Sequence, residues 1–231
     1  MHQKPLRVVI GAGPYNNNPD WIQTQASQLN LLNRRDWERS FGPSSISAIL
    51  AEHVWEHLSY EQGLRAAEIC FDFLEAGGYI RCAVPDGFFP DEAYQRDAQV
   101  GGPGPQDHPA ASHQFVFDYH TIATMLQTAG FTVNLLEYCD ESGAFHANPW
   151  DEKQGLIYRS LRFDHRNRNG ELGYTSLLVD GQAPSQPSHF VAVLPGTAGP
   201  LHNSEGDKRG AGRTFGEAAT ARFALVIIDS V

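Results

Sequence analysis

Cysteine is scarce: the only three, Cys70, Cys82 and Cys139, stand far apart inside apolar runs. No C-x-x-C pair exists to hold a metal or a redox disulfide, so all three read as buried thiols of a reducing, cytoplasmic setting. Cationic charge is also in short supply, since 17 Lys and Arg against 27 Asp and Glu leave a formal net charge of −10. A surface of that sign repels polyanions, which argues against nucleic acid and anionic membrane as partners. The chain lacks an apolar run long enough to cross a bilayer, an apolar leader ahead of its first strand, and an internal repeat. Glycine and proline are abundant, at 22 and 14 residues, so long stretches must be loop, much of it late in the chain.

Leu6 to Ile10 is a short β-branched run that closes on Gly11-Ala12-Gly13, the pattern of a buried parallel strand followed by a tight turn. The next stretch, PYNNNPDW, excludes a helix. With no third glycine and no helix, the turn is not the G-x-G-x-x-G phosphate cradle of dinucleotide folds. Further strands are expected over Ile22 to Ser27, Ser45 to Ala51 and Gly78 to Val84. A helix from about Tyr60 to Glu75 precedes the last of these, stopped by Gly77-Gly78 as a left-handed cap. Residues 88–114, rich in Pro and Gly, read as a lid or substrate loop. Asp118 caps a helix through Ala129, Thr132 to Cys139 forms a fifth strand, and Tyr174 to Asp180 a sixth, antiparallel at the sheet edge. This order gives an α/β fold: a mainly parallel twisted sheet, flanking helices and an antiparallel last strand. Residues 1–182 form the domain. Residues 183–231 are a Pro/Gly-rich tail, mobile or edge-pairing, and a homodimer would form through that tail or a sheet edge.

The segment His53-Val-Trp-Glu56-His57 fits the H-x-x-E-H zinc-hydrolase pattern. On a helix His53 and His57 would share a face and grip one zinc while Glu56 activates its water. A third ligand would then have to come from loop residues such as His108 or His113. The segment follows the third strand directly, which puts it at the carboxyl edge of the sheet, where open α/β sheets hold ligands.

Taken in order, three motifs resemble those of class I S-adenosylmethionine-dependent methyltransferases, in particular the small type-11-like group. They are VVIGAG at 8–13, AILAEHVWEHL at 48–58 and LEAGGYIRCAVPDG at 74–87. HQFVFDYHTIATMLQTAGF at 113–131 is similar to the family's next helix, and the resemblance spans residues 5 to about 182. It implies a Rossmann-like methyltransferase fold, S-adenosylmethionine as cofactor, no metal, and a small-molecule or glycan-precursor acceptor. Gly11, Ala12, Gly13, Pro14 and Tyr15 would approach the methionine moiety, with Glu52 and His53 beside the sulfonium. Thr24 and Gln25 stand where the family places a ribose-binding acid, and Leu31 would flank the adenine. His53 is the expected general base, with Asp86 and His113 around the acceptor, because a base titrating near neutrality suits histidine. The insert from Asp140 to Gly173, with Trp150, Arg159, Phe163, Asp164, His165 and Arg166, either recognises a polar acceptor or knits itself to the sheet. Two other functions stay open: a degenerate cofactor-binding or partner module, motivated by Gln25, and a zinc hydrolase through residues 53–57.

Overall fold

The computed structural model describes residues 5–103, 109–167 and 171–185. The apolar runs become β1 (Arg7–Ile10), β2 (Ile22–Gln23), β3 (Ile46–Glu52) and β4 (Leu74–Val84), all parallel to one another. β5 (Thr132–Cys139) runs in the same sense as β4, because β7 (Leu177–Gln182) lies between them and is antiparallel to both. A short β6 (Phe145–Ala147) returns antiparallel on β5, giving the order β2-β1-β3-β4-β7-β5-β6. This seven-stranded mixed sheet flanked by helices is the Rossmann-like α/β fold expected from the sequence. The chain leaves β1 on one side for β2 and comes back on the other for β3, which opens a crevice at the carboxyl ends of β1 and β3.

Side chains of the strands alternate between two cores. Val8, Ile10, Ile49, Ala51, Ile80 and Cys82 face the helices, while Val9, Ala48, Leu50, Ala83 and Leu178 face the other way. The helical layer consists of α1 (Arg34–Ser40), which contributes the buried Trp37, together with α2 (Tyr60–Phe73) and α4 (Tyr119–Thr128). α2 and α4 both start at capping boxes, Ser59 with Gln62 and Asp118 with Thr121, which satisfy amides that a helix start leaves open. Among the described residues no helix joins the opposite core: Trp21 and the insert residues Trp150 and Ile157 close it.

Several expected boundaries move. The second strand ends at Gln23: Thr24 adds a last bond to β1, its amide donating to the Val9 carbonyl (2.8 Å), and residues 26–28 form a turn. Gly77-Gly78 does not cap the preceding helix. That helix closes at Phe73, Leu74 is already extended, and pairing with β3 jumps from Leu74 to Tyr79, so the two glycines sit in a bulge. Gly77 has φ +76°, and a Cβ on Gly78 would fall 2.9 Å from the Glu75 carbonyl. The last long strand lies inside the sheet between β4 and β5, not at its edge. The Pro/Gly-rich loop holds a helix of its own, α3 (Glu92–Ala98), started by the Asp91 side chain. All three cysteines are free and buried. Among the described residues no helix is long and apolar enough to cross a membrane. The expected tail beyond residue 185, with the dimer contact assigned to it, lies outside the described residues.

Candidate functional site

A cavity of about 430 Å³ opens at the carboxyl ends of β1 and β3, lined among others by Gly11, Gly13, Tyr15, Gln23, Glu52 and His53. Beside it lies a second cavity of about 480 Å³, bordered by Pro85, Tyr94 and Tyr174. His53, His113, Arg159 and Arg166 line both, so they form a common wall.

The wall exists because two backbone positions take rare conformations. Gly11 has φ +63°, and a Cβ there would meet Val54 Cγ2 at 2.7 Å, so only glycine lets β1 turn this closely against the end of β3. His53 is held at φ +56°, a left-handed conformation uncommon outside glycine, with its amide donating to Ala83 O at 2.8 Å. Strain of this kind persists where the surroundings over-determine it, typically at a working site. Here it turns the imidazole so that Nε2 lies 2.8 Å from Ser176 Oγ and Nδ1 lies 3.2 Å from Glu56 Oε1. Burial, with the charge of Arg159 and the adjacent imidazoles, pushes His53 well below its ordinary pKa. It is therefore a neutral ring at neutral pH.

The stretch after His53 is not an α-helix. Trp55–His57 is a single 3₁₀ turn pinned by the fully buried Trp55, whose indole N–H donates to Gly63 O at 3.1 Å. The one-face geometry expected of His53 and His57 is absent, because the chain kinks through His53 before the turn begins. Instead the backbone brings in a different histidine: the amides of Gln114 and Phe115 both donate to the Glu56 carbonyl (2.7 and 3.3 Å), setting His113 beside Glu56 and His57. Donor atoms of those three side chains all lie within 4.8 Å of one another. Glu56 is 1% exposed, neither carboxylate oxygen has a hydrogen-bond partner, and burial pushes it up to about 8. The His53 ring is close to Glu56 but not aligned to bond it.

The expected site residues divide into two groups. Gly11, Ala12, Gly13, Tyr15, Glu52, His53 and His113 all line the first cavity. Within that group Glu52 works as a brace: its carboxylate accepts the Tyr158 and Arg159 amides (3.1 and 2.9 Å) and so fastens the insert over the opening. The remaining expected residues fall elsewhere. Pro14 is not part of the lining. Thr24 is buried and its hydroxyl donates to Val9 O, while Leu31 packs against the core of the helical face. Gln25 does not face the cavity, since its amide both accepts from Gly13 N (3.1 Å) and donates to Gly13 O (2.6 Å), and the residue of β2 that does face it is Gln23. Asp86 is fully buried, with its two oxygens accepting the amides of Phe88 (3.0 Å) and Cys139 (2.7 Å), and it lines neither cavity. His108 lies outside the described residues.

Sequence reasoning did not find Gln23, Tyr158, Ser176 or Tyr94 as part of this region. Gln23 alternates with Ile22 on a two-residue strand, too short for its face to be read. Tyr158 and Ser176 come from loops fastened through Glu52, and Tyr94 from α3, where its hydroxyl accepts the Asp86 amide at 2.6 Å. The insert knits itself to the sheet and also lines the cavities. Arg166 is fixed by a two-point pair with Asp164 and lies 3.3 Å over the Tyr174 ring, while Arg159 spans the cavity toward Tyr15, 6.0 Å from its ring centre.

No family model matches the chain, and no curated protein matches it in sequence. Solved structures with similar folds include an S-adenosylmethionine-dependent methyltransferase from Archaeoglobus fulgidus, at 13% identity and TM-score 0.43, covering 78% of this chain and 86% of that one. An O-methyltransferase family protein from Burkholderia thailandensis is similar at 10% identity and TM-score 0.45, over 78% of this chain and 51% of its own. A methyltransferase of the same cofactor class from Methanosarcina mazei is similar at 11% identity and TM-score 0.42, over 80% and 95%.

Proposed function

We propose that the protein transfers a methyl group from S-adenosylmethionine to a small-molecule acceptor. One observation carries the reading: two adjoining cavities share a wall of His53, His113, Arg159 and Arg166. Transfer is a displacement in line, so donor and acceptor must meet across a common boundary with a proton acceptor beside it. The first cavity, about 430 Å³, is in the range of small-ligand sites.

The residues present fit the cofactor. Gly11 provides a turn that a side chain would fill, and Gly11, Ala12, Gly13 and Tyr15 would hold the amino-acid end, with Gln23 toward the ribose. When bound, the cofactor supplies an electrophilic methyl on a sulfonium. His53 lines both cavities as a neutral ring with Ser176 Oγ fixing it at 2.8 Å, which places a proton acceptor beside an O- or N-acceptor, its basicity reduced by burial. Arg159 and Arg166, on the acceptor side, favour an anionic or hydroxylated compound, a glycan precursor among them. Asp86 has a structural part in this scheme, as a brace and not as a base.

A second reading, a cofactor-binding module without turnover, draws on one observation: the residue of β2 lining the cavity is Gln23, a neutral amide whose nitrogen already donates to the Asn18 and Trp21 carbonyls, and not a carboxylate. A carboxylate makes charge-assisted bonds about twice as strong as neutral ones. Calorimetric titration of the full chain with S-adenosylmethionine, and with S-adenosylhomocysteine in competition, tests the site. One-to-one binding kept in His53→Gln but lost in Gly11→Val is expected. Absence of binding at millimolar concentrations would end both readings. Methyl transfer to a panel of small carboxylated and hydroxylated acceptors, abolished in His53→Gln, separates the first from the second.

A further inference from the structure

We propose that Glu56, His57 and His113 form a binding site for a divalent transition-metal ion of the zinc class, with one coordination position open toward the cavities. The site stands on its own geometry and does not depend on the methyltransferase reading.

The Glu56 carboxylate carries most of the argument. It is 1% exposed and neither oxygen has a hydrogen-bond partner. A carboxyl group buried without donors loses its solvation with nothing in return, and native structures tolerate that where a cation or a partner is to be met. Around it stand the His53 ring, 3.2 Å away, and the His57 and His113 rings, whose centres are 5.1 Å apart. The two latter rings are each braced at one nitrogen: His113 Nδ1 donates to Ala98 O (3.1 Å), and His57 Nδ1 lies 2.8 Å from Ser112 Oγ. Metal-ligating imidazoles are fixed in this way, the second nitrogen bound to a carbonyl or hydroxyl that sets tautomer and orientation.

Donor set and spacing then select the ion. Two imidazoles and one carboxylate match zinc sites with three protein ligands and an open fourth position, and the nitrogen share disfavours Mg²⁺ and Ca²⁺. The three donor atoms lie within 4.8 Å of one another. Tetrahedral zinc with bonds of about 2.0–2.1 Å separates its donors by about 3.3 Å, so modest side-chain rotations close the set. Backbone bonds from Gln114 and Phe115 to the Glu56 carbonyl hold both halves of the site together meanwhile. All three ligands line the first cavity and His113 also the second, so the open position faces the common wall. An oxygen acceptor bound there would lose its proton more readily, as water on zinc does at a pKa of about 7. This is not the ligand pair of the H-x-x-E-H pattern, since His53 is replaced by His113 and Glu56 becomes a ligand.

Full-length protein stripped with chelator and titrated by calorimetry with Zn²⁺, then separately with Mg²⁺, tests the site. One equivalent of Zn²⁺ and no heat from Mg²⁺ is expected, with Co²⁺ giving the strong visible bands of a low-coordinate site. Glu56→Gln and His113→Ala should each weaken Zn²⁺ binding by about tenfold or more. His120→Ala and His146→Ala, which remove exposed histidines paired with Glu141 and Asp140, should leave it unchanged. Because Glu56→Gln keeps the size of the side chain, an unchanged circular-dichroism spectrum shows that lost binding is not lost folding. Absence of Zn²⁺ binding, or binding insensitive to Glu56→Gln and His113→Ala, overturns the proposal. S-adenosylmethionine binding measured on the same stripped protein reports on the methyltransferase reading separately.

Discussion

Asp86 carries two backbone amides at the hinge between β4, α3 and β5, and the Tyr94 hydroxyl closes the same corner by donating to Thr175 O at 3.0 Å. In the sequence it was a polar residue after a strand, equally suited to chemistry or to a turn. The structure gives every acceptor of its carboxylate a structural partner. Asp86→Asn replaces one accepting oxygen with an NH₂ that faces a backbone N–H, so one buried amide is left unmet. A loss of about 2–3 kcal/mol of stability is expected, the range for hydrogen bonds to a charged group, read by urea unfolding. Affinity for S-adenosylmethionine should hold. Stability unchanged with methyl transfer abolished would instead return Asp86 to the acceptor side.

The turn after β1 works as an element because Gln25 clasps Gly13 at both its N–H and its carbonyl. A ribose contact at Gln25 would make Gln25→Asp strengthen cofactor binding. The clasp predicts the reverse, since aspartate is one methylene shorter and cannot donate to the Gly13 carbonyl. About a tenfold weakening is expected, equal to roughly one net hydrogen bond, measured by calorimetry. Elements with strong local signals were legible in the sequence: β5 from Thr132 to Cys139, α4 from its Asp118 cap, β3 within one residue. Those set by distant partners were not. α1 buries a single side chain, Trp37, in a charged stretch with no apolar stripe, and Gly77-Gly78 looks like a helix stop until β3 and β4 are seen to pair around it. The site was readable in the same measure. Gly11 and His53 follow from strand ends, whereas His113 reaches Glu56 only through backbone bonds between segments almost sixty residues apart, for which a sequence carries no local mark.

At the scale of the whole molecule, the net charge of −10 repels polyanions, while the two arginines of the cavity wall, Arg159 and Arg166, are each paired with a carboxylate, Glu52 and Asp164. That wall is hung on the face of the sheet that Trp21, Trp150 and Ile157 close, and buried charge holds it there. Arg81, 1% exposed in the middle of β4, pairs with Asp180 of β7 through two bonds of 2.8 Å. Its remaining nitrogen donates to the carbonyls of Asp151 (3.0 Å) and Gly155 (2.8 Å), and the guanidinium lies 5.0 Å from the Trp150 ring centre. Removing one partner of such a pair strands the other, so Asp180→Ala should cost about 3–5 kcal/mol. The double change Arg81→Met with Asp180→Leu replaces the pair with apolar volume and should recover most of that loss. It cannot recover the anchor to Asp151 and Gly155. Stability and affinity therefore separate in the double variant: thermal unfolding near that of the parent, with S-adenosylmethionine binding still weakened because Arg159 and the rest of the cover are no longer tied to the sheet. If binding returns together with stability, Arg81 serves the fold alone and the insert is positioned by Glu52 and its own contacts.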